Sequence, residues 1–137
     1  MGKPLSILLV EDDIIEIMKF NRTVSSLKVN CLVSEAKNGE EAINYLMTTQ
    51  KLPDIILLDL NMPKVNGIEF LKTIRGYENL KGIPTIILTT STNKKDLVEC
   101  NKIGISGYMV KPLKYEDYVS KITKTLSYWS ESERFSA

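Results

Sequence analysis

The chain has 137 residues, enough for one domain around one core, and at 43% hydrophobic and 26% charged it has the balance of an ordinary globular protein. Its 18 basic and 17 acidic side chains leave a formal charge of +1, which gives no general attraction to nucleic acid or to an anionic membrane surface. It contains no histidine, so it can hold neither a Ser-His-Asp triad, nor a His-ligated zinc, nor a phosphohistidine of its own.

No apolar run reaches the roughly 18 residues that would span a bilayer. The opening MGKPLSILLVEDD has one Lys and an apolar run too short for a signal peptide, so a cytoplasmic protein is expected. Cys31 and Cys100 lie far apart without metal-type spacing and read as two reduced thiols, packed or partly packed.

In chain order, five short apolar runs appear, at 5–10, 31–36, 55–60, 85–89 and 107–110. Near-continuous Ile, Val and Leu suit strands buried on both faces of a parallel sheet. Helical periodicity fills the gaps. After the first run, Ile14, Ile17, Met18 and Val24 share a stripe. Residues 39–49, with an apolar face of Ala42, Ile43 and Leu46, follow the second run, and 67–76 and 94–103 follow the third and fourth. After the fifth, Tyr115, Tyr118, Val119, Ile122, Leu126 and Trp129 form another stripe. Strand and helix thus alternate five times, which predicts a doubly wound α/β domain with helices on both faces of the sheet. No repeat or linker interrupts the chain. The polar end, 130–137, is expected to fray, and no effector domain is expected.

In such sheets ligands sit at the carboxyl ends of the strands. The first run ends in Glu11-Asp12-Asp13, the third in Asp59-Leu60-Asn61-Met62-Pro63, the fourth in Thr89-Thr90-Ser91 and the fifth in Lys111-Pro112. Singly, each has a structural explanation: acids cap and complement a helix N-terminus, an Asp makes a turn, Thr favours strands, a Lys is solvated. Together they gather acids, a hydroxyl and an amine at one edge. Crowded carboxylates are relieved by a hard divalent cation with oxygen ligands, Mg²⁺ or Mn²⁺. Asp59 can then serve as a nucleophile toward a phosphoryl donor, with Lys111 and Thr89 binding phosphoryl oxygens.

The stretches ILLVEDD (7–13), DIILLDLNMPKVNG (54–67), PTIILTT (84–90) and GYMVKP (107–112) resemble the receiver family of bacterial two-component response regulators, over about residues 5–127. The resemblance implies a flavodoxin-like fold of five parallel strands in the order 2-1-3-4-5 with five helices. It also implies Glu11 and Asp12 as the acidic pair and Asp59 as phosphoacceptor and metal ligand. Asn61 would offer its backbone carbonyl to the metal. Thr89 and Tyr108 would be the switch pair, and Lys111 the phosphate-binding lysine before a cis bond to Pro112. A histidine kinase or a histidine phosphotransfer protein would supply the phosphoryl group. Asp13 falls at a variable position and reads as a helix cap. The last helix, ending in SYWSESERF, extends beyond a minimal receiver, which resembles the small regulators that partner bacterial phytochromes; 128–137 reads as helix end and tail.

A haloacid-dehalogenase-type phosphatase would need an acid two residues after the nucleophile, where Asn61 stands. A nucleotide-binding module would need glycines where Glu11-Asp12-Asp13 stands. A phosphorylation-independent adaptor would have no use for intact Asp59, Thr89 and Lys111. Output is expected through protein contacts, to a downstream protein that the sequence does not name or to a second copy in a homodimer. The expected surface is the fourth helix, fifth strand and fifth helix. There Tyr128 and Trp129 read either as an interface anchor or as cover for the domain's own core.

Overall fold

The computed structural model describes residues 3–60, 67–90 and 94–132. Its elements alternate as expected: β1 (Leu5–Val10), α1 (Ile14–Ser25), β2 (Cys31–Ala36), α2 (Gly39–Thr48), β3 (Ile55–Leu58), α3 (Gly67–Arg75), β4 (Thr85–Thr89), α4 (Lys94–Ile103), β5 (Gly107–Val110) and α5 (Tyr115–Glu131). The five strands form one parallel sheet in the order β2-β1-β3-β4-β5. The central position of β3 follows from its sequence. Ile55–Leu58 is apolar at every position and fully buried, as suits a strand covered on both faces. The edge strands depart from the expectation of burial on both faces: every residue of β5 is only partly buried, and Ala36 alone is buried in β2.

Alternation along the strands divides the core into two layers. On one face, Leu8, Val10, Ile56, Leu58 and Ile87 meet Ala42 and Leu46 of α2, Phe70, Leu71 and Ile74 of α3, and Cys100 of α4. On the other, Ile7, Leu9, Leu57 and Leu88 meet Ile17 and Phe20 of α1 and Tyr118, Ile122 and Leu126 of α5. Each fully buried Leu or Ile contributes about 1.5–3 kcal/mol before the entropy of ordering it.

Several boundaries have local causes. Asp13 caps α1 with Oδ1, which accepts from Ile15 N–H at 2.9 Å, and Asn38 caps α2 in the same way through Glu41 N–H. α4 ends at Gly104, whose φ of +118° few side chains tolerate and whose N–H donates to Cys100 O at 2.8 Å. Gly67 opens α3 where a Cβ would come within 2.7 Å of the Asp59 carbonyl and the Leu60 Cα. A side chain there would push the backbone that carries Asp59.

The helix stripes needed correction. Ile14 and Met18 are 66% and 64% exposed, and the buried face of α1 is Ile17, Phe20 and Thr23. The i, i+4 pair was apolar, but it lies on the side turned from the sheet. In α5, Tyr115 is exposed at the first turn, whereas Tyr118, Ile122 and Leu126 are buried. Of the aromatic pair, Trp129 packs against the core of the α1–α5 face and Tyr128 is exposed. The bond before Pro112 is also corrected, since no cis peptide occurs among the described residues. Trans is the favoured isomer of an X–Pro bond by about 0.5–1 kcal/mol, and Lys111 reaches its partners from it. Both cysteines are free thiols, Cys100 buried and Cys31 partly so. Among the described residues no helix is long and apolar enough to cross a membrane.

Candidate functional site

The carboxyl ends of β1, β3, β4 and β5 lie at one edge, and the backbone ladder continues past β1, β3 and β5. Glu11 N–H donates to Ala36 O at 2.9 Å, Asp59 N–H to Val10 O at 3.0 Å and Lys111 N–H to Thr89 O at 2.8 Å. The functional side chains are therefore set by sheet register and not by loop geometry.

Glu11, Asp12 and Asp59 bring carboxylate oxygens within 4.8 Å of one another. Glu11 and Asp59 are buried and Asp12 is exposed, so the cluster opens to solvent on the Asp12 side. Lys111, also buried, donates from Nζ to Glu11 Oε1 at 2.6 Å. Asp13 N–H donates to Glu11 Oε2 at 3.3 Å, so both oxygens of Glu11 are engaged. Burial still raises the Glu11 pKa to about 7; Lys111 opposes the shift, and the nearby Asp59 adds to it. Burial alone would lower the Lys111 pKa, but the hydrogen bond to Glu11 and the charges of Glu11, Asp59 and Glu16 outweigh it and raise it. The pair is one charge-assisted unit in which the ammonium keeps its proton.

Thr89, the last residue of β4, is fully buried at the same edge. Tyr108 lies opposite Ile87 in the register of β4 and β5, and Val110 lies opposite Thr89. Thr89 and Tyr108 are therefore diagonal neighbours on one face of the sheet. The Tyr108 ring is partly buried against the layer of α2, α3 and α4, and burial raises its phenol pKa. Asn61 lies outside the described residues.

Glu16 was not among the residues expected at the site. Its Oε1 lies 3.3 Å from Lys111 Nζ, and its Oε2 accepts from Lys19 Nζ at 3.1 Å. An acid in the first turn of a helix is expected for the helix dipole alone, so the residue carried no signal of its own. What pointed to it is periodicity: Glu16 precedes the buried Ile17 and so flanks the face turned to the sheet.

The family pattern of the response regulator receiver domain matches residues 7–123. The chain belongs to that family. The receiver is thus a phosphoacceptor signalling domain of a two-component system, a class that pairs with histidine kinases. Over 130 residues it is 35% identical to the probable methanogenesis regulatory protein FilR2 of Methanothrix harundinacea, covering 92% of this chain and 84% of the relative. Response regulator Rcp1 of Synechocystis is 29% identical over 134 residues, 94% of this chain and 91% of the relative. A crystal structure of Rcp1 in a Mn²⁺-bound form matches with a TM-score of 0.88, covering 98% of the receiver and 100% of that chain. The phosphorylated cyanobacterial phytochrome response regulator RcpA matches with a TM-score of 0.92 at 28% identity, covering 98% and 100%. The donor set here, three carboxylates with converging oxygens, fits a hard divalent cation of the kind that Rcp1 structure holds.

Proposed function

We propose that this receiver takes a phosphoryl group onto Asp59 from a phosphohistidine on a histidine kinase or a histidine phosphotransfer protein. The observation that carries this reading is the convergence of Asp59 with Glu11 and Asp12, with a buried ammonium at the same edge. Asp59 Oδ attacks the phosphorus, an O–P bond forms, and the donor's P–N bond breaks with its electron pair retained by the imidazole. Lys111 and the Thr89 hydroxyl receive phosphoryl oxygens. Asp12, Asp59, Glu11 and the Asn61 carbonyl would hold Mg²⁺ or Mn²⁺, which when bound offsets charge on the phosphoryl oxygens.

Thr89 and Tyr108 form the switch in this reading. A phosphoryl group on Asp59 adds negative charge and strong acceptors at the strand ends. Thr89 moves toward them, and its diagonal neighbour Tyr108 turns into the space beside β4. Residues 5–127 form the signalling unit, acting in the cytoplasm, with 128–137 as helix end and tail. Output leaves through α4, β5 and α5, to a downstream protein or a second copy of the chain. Tyr128 and Val98, both exposed, lie on these helices.

Acetyl phosphate with Mg²⁺ should add one phosphoryl group by intact mass. Asp59→Asn should abolish the addition, and EDTA should block it. Full modification of Asp59→Asn would overturn the assignment. Structures with and without beryllofluoride should differ at Thr89 and Tyr108, and sedimentation of the same pair tests the homodimer.

A further inference from the structure

Glu16 ties the carboxyl edge of the sheet to the α1–α5 layer. Lys111 is shared between two carboxylates, at 2.6 Å from Glu11 Oε1 and 3.3 Å from Glu16 Oε1. The two contacts differ in kind. The first is a hydrogen bond, while Glu16 Oε1 is buried and accepts no hydrogen bond among the described residues. A buried acceptor without a donor is costly, and the nearest remedy is a small movement of the Lys111 ammonium toward it. Glu16 itself is held from behind. Its Oε2 accepts from Lys19 Nζ at 3.1 Å, and Lys19 lies 4.5 Å from the ring centroid of the buried Tyr118. The side chain that pulls on Lys111 is therefore braced and does not simply follow it.

We propose that Glu16 is a positioning residue that competes for the Lys111 ammonium and so slows phosphoryl transfer until the incoming phosphoryl oxygens outcompete it. This rests on the reading of Asp59 as phosphoacceptor and of Lys111 as a phosphoryl ligand. Glu11 cannot have this role, since it belongs to the acidic cluster itself. Among the described residues the ion pairs of Glu16 run to Lys111 and Lys19, so it acts on the site through Lys111.

Two variants separate position from charge. Glu16→Gln removes the charge and keeps the shape. Glu16→Asp keeps the charge and withdraws it by one methylene, out of reach of Lys111. With acetyl phosphate and Mg²⁺, both should raise the maximal rate of Asp59 phosphorylation, by about fivefold for an effect of this size. In Glu16→Asp the half-saturating acetyl phosphate concentration should stay unchanged. In metal-free protein, the ¹⁵Nζ resonance of Lys111 should move in both variants. If Glu16→Asp matches wild type while Glu16→Gln is faster, only net charge matters and the proposal fails. Unchanged rates in a wild type that does modify Asp59, or an unmoved Lys111 resonance, would overturn it and leave the phosphoacceptor reading standing. A wild type that is not modified at Asp59 would overturn both.

Discussion

The two ends of the sheet handle polar groups in opposite ways. At the amino end polar groups pair with backbone and hydroxyl groups of other elements, Arg75 Nη1 excepted, which is buried and makes no hydrogen bond among the described residues. Asp54 Oδ2 accepts from Ser6 N–H at 2.8 Å, and Arg75 donates to Gly104 O at 3.0 Å and to Thr85 Oγ1 at 3.1 Å. These contacts tie β1 to the start of β3, and α3 to the α4–β5 turn and β4. At the carboxyl end three carboxylates crowd together with Lys111 beside them. One backbone pattern supports both ends. The difference teaches where folding and function part: hydrogen-bonded groups at the amino end hold the fold, and the crowded ones at the carboxyl end are those that the proposed cation and phosphoryl group would engage.

Breaking the carboxyl end at the buried ammonium of Lys111 should have the largest effect. Lys111→Met leaves Glu11 and Glu16 without their buried ammonium, and at pH 8 should destabilise the domain by about 3 kcal/mol in chemical denaturation. At pH 5, where Glu11 is protonated, the loss should shrink. An equal loss at both pH values would mean that Lys111 acts by packing alone.

The amino end should respond less. Arg75→Ala should cost about 1–2 kcal/mol, because the Gly104 carbonyl loses its guanidinium donor and the Thr85 hydroxyl keeps only its bond to the Ile83 carbonyl. Phosphorylation by acetyl phosphate should persist, since Arg75 lies at the opposite end. A variant that folds but takes no phosphoryl group would break the division between the ends.

Removing one carboxylate from each end sharpens the contrast by sign. Asp59→Asn should raise stability in metal-free buffer by about 1 kcal/mol, because it relieves the charge beside Glu11. Asp54→Ala should lower it by about 1 kcal/mol, because Ser6 N–H loses its acceptor. Added Mg²⁺ should narrow the first difference and leave the second. Thermal melts of the two variants with EDTA and with Mg²⁺ check both signs, and a lower melting point for Asp59→Asn in EDTA would remove the case for a crowded edge.

The pH dependence of the unsubstituted protein tests the same edge. In the unfolded chain Glu11 loses its proton near its ordinary value of 4.5, and in the folded protein it keeps it to about 7. Between those values the folded state binds more protons, so the Glu11 contribution to stability falls as pH rises and is level above the window. The Lys111 ammonium, its pKa raised, stays charged throughout. Melts in EDTA from pH 4.5 to pH 8 should show this decline, and Glu11→Gln should flatten it. A wild-type profile that matches Glu11→Gln would contradict the burial of an acid at this position.

Much of this contrast was legible in the sequence. Strands covered on both faces are nearly continuously apolar, so the five strands stood out as runs. The acids, Thr89 and Lys111 stood out because they close or follow those runs. The helix faces were harder. Thr23 is polar yet fully buried, its hydroxyl satisfied by Lys19 O at 2.8 Å, whereas Ile14 is apolar and exposed. A hydrophobicity stripe cannot see a polar group that bonds to its own helix. Glu16 was hidden for the reason that makes it of interest: its partner lies far off in sequence, and its local role as a first-turn acid was already sufficient. The amino end was illegible as well. Arg75 and Gly104 are 29 residues apart, and nothing local in either names the other.

The placement of Trp129 has a spectroscopic consequence. It is the only tryptophan in the chain, and it lines a groove with Ile86, Ser106 and Gly107, where β4 and β5 begin. Strands of four or five residues separate it from the acidic edge, roughly 13–17 Å at the usual rise. A cation at Asp59 would be too remote to quench the indole by contact. Its emission is therefore a built-in far-end probe, dark to occupancy itself and sensitive to rearrangement of β5 and α5. Beryllofluoride titrated against Trp129 emission would separate filling of the acidic edge from the motion that filling sets off.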